Sequence, residues 1–169
     1  SDDWGRFLSA YTPVSIIHLA AETGTGQSLT ESTRHAAVNV VGTSQMLDAL
    51  SRHSVSPRRI VLSSSRAIYG EGAWLRDAGE VFYPGQRDAQ MLAEKRWDFP
   101  GSSALPFNAK NTEPRPASVY GATKLAQEHV LSTWCKAYGV EYAILRLQNV
   151  YGPGQSLTNP YTGIVPLFS

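Results

Sequence analysis

Residues 14–28 read VSIIHLAAETGTGQS, an apolar run that passes directly into Gly24-Thr25-Gly26. The run 14–21 is short, rich in β-branched residues and bounded by Pro13 and Gly24, which predicts a buried strand. A strand that opens into G-x-G is one way to begin a phosphate-binding loop, where backbone amides and a helix N-terminus hold the anion. Here no third glycine follows at the G-x-G-x-x-G spacing, and no acidic residue stands at the right distance after a second strand. The pair therefore reads as a turn in which glycine lets the backbone pass close to a ligand.

Beyond this stretch the pattern alternates between two periods. Residues 28–52 contain no proline and place Val38, Val41, Met46, Leu47 and Leu50 at mixed spacings of three and four, which predicts an amphipathic helix. RRIVLSSS (58–65), after Pro57, predicts a second buried strand. ASVYGATKLAQEHVLSTWCKAYG (117–139) predicts a long helix, entered after Pro116 and stopped by Gly139. EYAILRLQNV (141–150) predicts a third strand. Strands alternating with helices imply parallel pairing through crossovers, the doubly wound α/β class. Residues 71–115 break the rhythm with many Pro, Gly, Asp and Trp residues, and they are far longer than the usual connection of about 4–6 residues. Trp74, Phe82, Tyr83, Trp97, Phe99 and Phe107 give that segment surface to bury, so it is expected to fold. It reads as a flap near the site, with a plain structural insertion as the alternative.

Composition narrows the function. The chain has 169 residues, about one domain, and 42% hydrophobic residues supply a core. A formal net charge of +1 argues against a nucleic-acid face. The single cysteine, Cys135, excludes an internal disulfide and suggests a reducing compartment; beside Trp134 in a helical pattern it reads as a buried thiol. No apolar run approaches the roughly 20 residues of a membrane span, and the opening residues lack a signal-peptide pattern, so a cytoplasmic location is expected. The four histidines show no metal-ligand spacing, so no metal is expected.

The chemistry is carried by two short motifs. YGATK sets Tyr120 and Lys124 four residues apart, on one face of a helix. A phenol is a poor base near neutral pH, and a neighbouring ammonium favours its phenolate, so the pair is a candidate general base for a sugar hydroxyl. Such pairs also occur by chance on exposed helices. The serines Ser63, Ser64 and Ser65 end a predicted parallel strand, where ligands of open α/β sheets bind, although three serines can equally cap a strand.

In order and spacing, HLAA (18–21), NVVGTSQMLDAL (39–50), RIVLSSSRAIYG (59–70), SVYGATKLAQE (118–128) and LRLQNVYGPGQ (145–155) resemble the extended short-chain dehydrogenase/reductase family. Within it the blocks look most like nucleotide-sugar 4-epimerases of the UDP-glucose 4-epimerase type. Residues 152–168 and the insertion resemble its deoxysugar-nucleotide branch, the dTDP-L-rhamnose 4-epimerase-like enzymes.

The resemblance implies part of a Rossmann sheet from its fourth strand onward, without the N-terminal glycine-loop unit and most of the C-terminal substrate domain. The phosphate loop would then lie upstream of Ser1, and the chain would be an internal segment or a remnant that by itself holds NAD weakly in a calorimetric titration. The implied reaction is reversible, NAD-dependent oxidation at sugar C4 through a 4-keto intermediate, with NADP left open. Residue by residue, Tyr120 would be catalytic base and acid, Lys124 would support it and hold the nicotinamide ribose, and Ser65 would bind the reacting sugar oxygen. Ala20, Ala21 and Ser63 would line the cofactor. Asn39 would fix the cofactor side of the site, or be a buried helix asparagine satisfied by backbone. Asn149 would contact the nucleotide-sugar substrate, or form a turn before Tyr151-Gly152-Pro153. Dehydratase, decarboxylase or reductase relatives and a non-catalytic cofactor-binding remnant are the alternatives. The first two place an acid just after the strand hydroxyl, where this chain has Arg66-Ala67. The family pairs through two long helices, so a homodimer is expected, with Val41, Met46 and Leu50 offered to the contact or, equally, to the core.

Overall fold

The computed structural model describes residues 2–156. Its elements are α1 (Asp2–Ala10), β1 (Ser15–His18), α2 (Ser32–Ala36), a π-helical stretch (Ala37–Val41), α3 (Gly42–Arg52), β2 (Arg59–Ser65), a 3-10 turn (Arg66–Tyr69), β3 (Trp74–Arg76), β4 (Val81–Phe82), α4 (Ala89–Ala93), β5 (Ser102–Ala104), α5 (Val119–Tyr138) and β6 (Glu141–Leu147). Residues 157–168, part of the stretch that carries the finer resemblance, lie outside the described residues.

The main sheet has the order β1-β2-β6 and is parallel throughout, with Ser15 opposite Arg59 and Arg59 opposite Glu141. Right-handed crossovers that step in one direction put their helices on one face. Accordingly Met46, Leu47 and Leu50 from α3 and Leu131 and Cys135 from α5 close on Ile60 and Leu62 of β2 in a single core. Cys135 is buried there, and burial pushes its thiol up to about 11. The unpredicted helix α1 adds Leu8 to the core, with Trp4 packed beside it.

Four expectations for the main sheet and its helices are corrected. The first strand covers only Ser15–His18 and is not buried on both sides. Ile16 packs on the core, while Ile17, on the opposite face, is 69% exposed because among the described residues helices cover one face of the sheet; Val14 and Leu19, just outside the strand, are 73% and 68% exposed. The helix expected over 28–52 begins at Ser32, after a separate 3-10 turn at Gln27–Leu29, and its middle is π-helical. Met46 and Leu50 point into the core at 3% and 0% exposure, so neither is available to a dimer contact; Val41, at 50%, is. The third strand ends at Leu147, which releases Gln148 and Asn149 from the sheet.

The insertion folds into a second, antiparallel sheet of order β4-β3-β5. Trp74 of β3 is buried and meets the edge of Phe99 at 5.0 Å, and Asp88 caps α4 by accepting from the Met91 amide at 2.7 Å. Trp97, counted among the burying aromatics, is 59% exposed. Several contacts tie the segment to the main body, among them a hydrogen bond from Arg146 to the Ala109 carbonyl at 3.4 Å. Phe107 stacks on Tyr69 with ring centres 5.1 Å apart, and the Gln86 side chain donates to the Ala117 carbonyl at 2.6 Å.

Helix α5 is punctuated as its sequence requires. Ser118 accepts from the Gly121 amide at 3.0 Å at the N-terminus, and Gly139, at φ 67°, takes the left-handed conformation that ends it. Gly121 allows the first turn of α5 to lie against the 3-10 turn that follows β2: a Cβ there would stand 2.5 Å from the Ala67 carbonyl oxygen. Gly121→Ala is therefore expected to destabilise the protein by about 1–3 kcal/mol through overpacking, read as a lower denaturant midpoint with unchanged slope. An unchanged midpoint would mean that this close approach is not maintained.

Candidate active site

A cleft of about 590 Å³ opens at the C-terminal ends of β2 and β6, in the range of small-molecule sites. Ser65, Tyr120 and Asn149 all line it. Gly24 lines it too, at φ 107°, so the first glycine of the opening stretch forms a turn in the cleft wall. Gly26 is not part of the lining. The insertion contributes Glu71 and Gln86 to the opposite side.

Ser65 ends β2, and its Oγ accepts from the Ala67 amide at 3.1 Å to cap the 3-10 turn. That leaves the hydroxyl proton free to be donated to a ligand oxygen. Tyr120 sits half-buried in the first turn of α5, its ring edge-on to His35 with centroids 6.4 Å apart. His35 is fully buried, and its ring nitrogens lie 3.0 Å from the Glu31 carbonyl and 3.2 Å from the Thr23 carbonyl. It thus connects the glycine-bearing wall to the helix beside Tyr120.

Lys124 lies one turn further along α5 and is not on the cleft surface. It is 2% exposed, and its ammonium donates to Oε1 of Gln127. Burial pulls its pKa down to about 8, against an upward pull from the Glu128 carboxylate. Asn39, in the π-helical stretch, is fully buried. Its Oδ1 accepts from the Glu22 amide at 2.8 Å, and its Nδ2 donates to the Glu22 carbonyl and to Thr123 Oγ1, each at 3.0 Å. These bonds are those of the backbone-satisfied asparagine: they hold the chain leaving β1 against α5. Ala20 and Ala21 are exposed just beyond β1, and Ser63 is half-buried on β2; none of the three borders this cleft.

Residues without a sequence-based role complete the surroundings. Gln127 Nε2 donates to Thr43 Oγ1 at 2.8 Å and lies 3.1 Å from Nε2 of His18. Burial first, and the Lys124 charge second, lower the His18 pKa. On the other side of Lys124, Glu128 accepts from Ser64 and from Arg146 at 2.9 Å, and Arg146 reaches the Tyr69 hydroxyl at 3.0 Å. Gln127 and Glu128 stand three and four residues after Lys124, on its own helical face, which is the signal that could have found them. Small side chains at Ala20 and Ala21 and the hydroxyl of Ser63, at the C-terminal side of β1 and β2, suit the flat ring and ribose of a nicotinamide nucleotide. Among the described residues no group of His, Cys, Asp and Glu is placed to hold a metal, and no helix is long and apolar enough to cross a membrane.

A parallel sheet whose strand ends meet a Tyr-x-x-x-Lys helix defines a Rossmann-type site of the short-chain dehydrogenase/reductase class. Residues 98–169 match the model of the NAD dependent epimerase/dehydratase family, and residues 1–78 match that of GDP-mannose 4,6 dehydratase. The chain is 63% identical over 166 residues to the dTDP-L-rhamnose 4-epimerase of Burkholderia thailandensis, covering 98% of this chain and 46% of that protein. The UDP-glucose 4-epimerase of Thermotoga maritima, solved with UDP-glucose, superposes with a TM-score of 0.70 at 27% identity over 99% of this chain and 44% of its own. The UDP-glucose 4-epimerase of Thermus thermophilus, solved with NAD, gives 0.62 at 28% identity over 92% and 40%. Over both of its halves the chain is similar to nucleotide-sugar epimerases and dehydratases, and over residues 98–169 to the NAD dependent epimerase/dehydratase family. It spans about half the length of the dTDP-L-rhamnose 4-epimerase it matches (46%).

Proposed function

We propose that the intact protein is a nucleotide-sugar 4-epimerase acting on a dTDP-linked deoxysugar of the rhamnose type. The observation that carries this reading is the meeting of Ser65 and Tyr120 in one cleft at the strand ends, in a chain so similar to a dTDP-L-rhamnose 4-epimerase. Tyr120 takes the proton of the C4 hydroxyl and returns it after the 4-keto sugar has turned over. Ser65 donates its free hydroxyl proton to the same oxygen, and Asn149 holds the substrate from the β6 side. Ala20, Ala21, Ser63, Tyr120 and Lys124 would hold NAD or NADP, which supplies hydride acceptance and return at C4. Asn39 acts by anchoring Glu22, and residues 71–115 act as a flap, a reading supported by Glu71 and Gln86 in the cleft wall. Lys124 supports Tyr120 through its charge; the direct ribose contact requires its ammonium to leave Gln127.

A dehydratase needs a second carboxylate free to move a proton. The one acid among the described residues that line the cleft, Glu71, is ion-paired with Arg87 at 2.6 Å, and Arg66 stands directly after Ser65. Proton NMR of dTDP-L-rhamnose incubated with NAD and the full-length protein tests the reading. A C4 epimer is the expected product, whereas an unchanged substrate would overturn it. If dTDP-glucose is instead converted to a 4-keto-6-deoxy sugar with loss of water, the protein is a dehydratase. The protein is further proposed to be a cytoplasmic homodimer paired through its two long helices, with Val38 and Val41 exposed on one of them. Light scattering should give twice the full-length mass; a monomer at tens of micromolar concentration would contradict this pairing.

A further inference from the structure

Lys124 is one of the largest fully buried side chains, and it sits where a charge matters to the proposed base. A buried ammonium is costly unless its protons find acceptors. An ammonium can only donate, so the partner atom on Gln127 must be the amide oxygen. That fixes the amide's orientation: its nitrogen faces the other way, toward Thr43 Oγ1 at 2.8 Å and His18 Nε2 at 3.1 Å. Thr43 in turn donates to the Asn39 carbonyl at 2.6 Å. Side chains from β1, α3 and α5 thus form one buried chain, Lys124–Gln127–Thr43–His18. It ends on the strand that runs into Ala20 and Ala21.

We propose that Gln127 is the positioning residue for Lys124: it supplies the acceptor that lets the ammonium stay protonated at this depth behind Tyr120, and Thr43 and His18 hold the amide in the required orientation. The inference rests on the reading of Tyr120 as the base. The charged and titratable groups that act on the ammonium are Glu128 from its own helix and His18 from β1; Arg146 from β6 is paired to Glu128, and Tyr120 stands one turn before Lys124 on α5. The side chains from the π-helical stretch and α3 that bond to its neighbours on α5, Asn39 to Thr123 and Thr43 to Gln127, are neutral. The direction of both consequences follows. With its acceptor removed, Lys124 should give up its proton at lower pH, and Tyr120 should lose the neighbouring charge over the working range.

The test uses the full-length protein with lysine labelled at 13Cε, so that the Lys124 titration is read directly by NMR, alongside the pH–rate profile. Gln127→Met keeps the side-chain length and removes both polar groups. It should move the Lys124 midpoint downward by about one pH unit or more, and move the rising limb of the rate profile upward. Combined with Lys124→Met it should add no further shift of that limb, because the two substitutions remove one effect. If Gln127→Met does not fold, Thr43→Val, which releases only the outer side of the amide, should give a smaller shift of the Lys124 midpoint in the same direction. An unchanged Lys124 midpoint, in Gln127→Met or failing that in Thr43→Val, would overturn the assignment. A midpoint that falls while the rate profile stays fixed would leave Gln127 as the partner of Lys124 and would instead refute the coupling of Lys124 to Tyr120.

Discussion

Tyr120→Phe in the full-length protein is expected to lower turnover by about 10²–10⁴-fold, the usual contribution of a positioned general base. The ring of Tyr120 is half-buried against His35, so a phenylalanine keeps the packing and loses only the hydroxyl. Nucleotide binding should change little, since Ser65 and Asn149 border the cleft independently. Steady-state kinetics, with a calorimetric titration of nucleotide sugar to confirm binding, provides the check. Turnover within a few-fold of the parent would show that another group accepts the sugar proton.

Lys124→Met is the second large effect, and it has a kinetic and a thermodynamic side. Kinetically, turnover should fall and the rising limb of the pH–rate profile should move upward, because the phenol loses its neighbouring charge. Thermodynamically, the lysine is held at about 8 in the folded protein against an ordinary 10.5. Below about 8 both states are protonated, and the full cost of burying the charge is present. Between about 8 and 10.5 the folded state releases its proton while the unfolded state keeps it, so stability rises with pH in that window. The rise is on the order of a few kcal/mol, at about 1.36 kcal/mol for each pH unit that separates the two values. Urea unfolding at pH 7 and pH 9.5 should therefore show a larger gain with pH in the parent than in Lys124→Met. Equal gains would mean that Lys124 is not buried as a cation.

The elements that the sequence revealed are those it punctuates. Pro116 and Gly139 bracket α5, and Pro57 and the serines bracket β2, so both helix and strand were legible to within a residue or two. The meeting of Ser65 and Tyr120 was legible as well, because strand ends and the helix that follows converge in parallel sheets. Other features leave no local trace. The π-helical stretch does not alter which residue types appear; it exists where Asn39 binds Glu22 and Thr123, the latter 84 residues away. Strands of two or three residues, as in β3, β4 and β5, are too short to show alternation. The exposure of Ile17 was invisible because an apolar strand reads the same whether one face or both are covered.

Lys124 illustrates the limit most plainly. Spacing places it on the face of Tyr120, but not its depth or its partner. The same turn of α5 offers Gln127 and Glu128, and the side chain resolves the choice by donating to Gln127 while Glu128 is taken by Ser64 and Arg146. A sequence names the candidates at three and four residues, and only packing against β1, β2 and β6 selects among them.

The proposed reaction is oxidation and reduction at a single sugar carbon, with Tyr120 moving the hydroxyl proton. Its sharpest test is the fate of deuterium placed at C4 of dTDP-L-rhamnose during turnover in ordinary water, followed by mass spectrometry and NMR of the product. The expected product is a C4 epimer that keeps its deuterium at C4, formed by the parent protein and not at a comparable rate by Tyr120→Phe. Loss of the C4 deuterium to solvent would contradict this reaction, since that is the mark of proton abstraction from carbon.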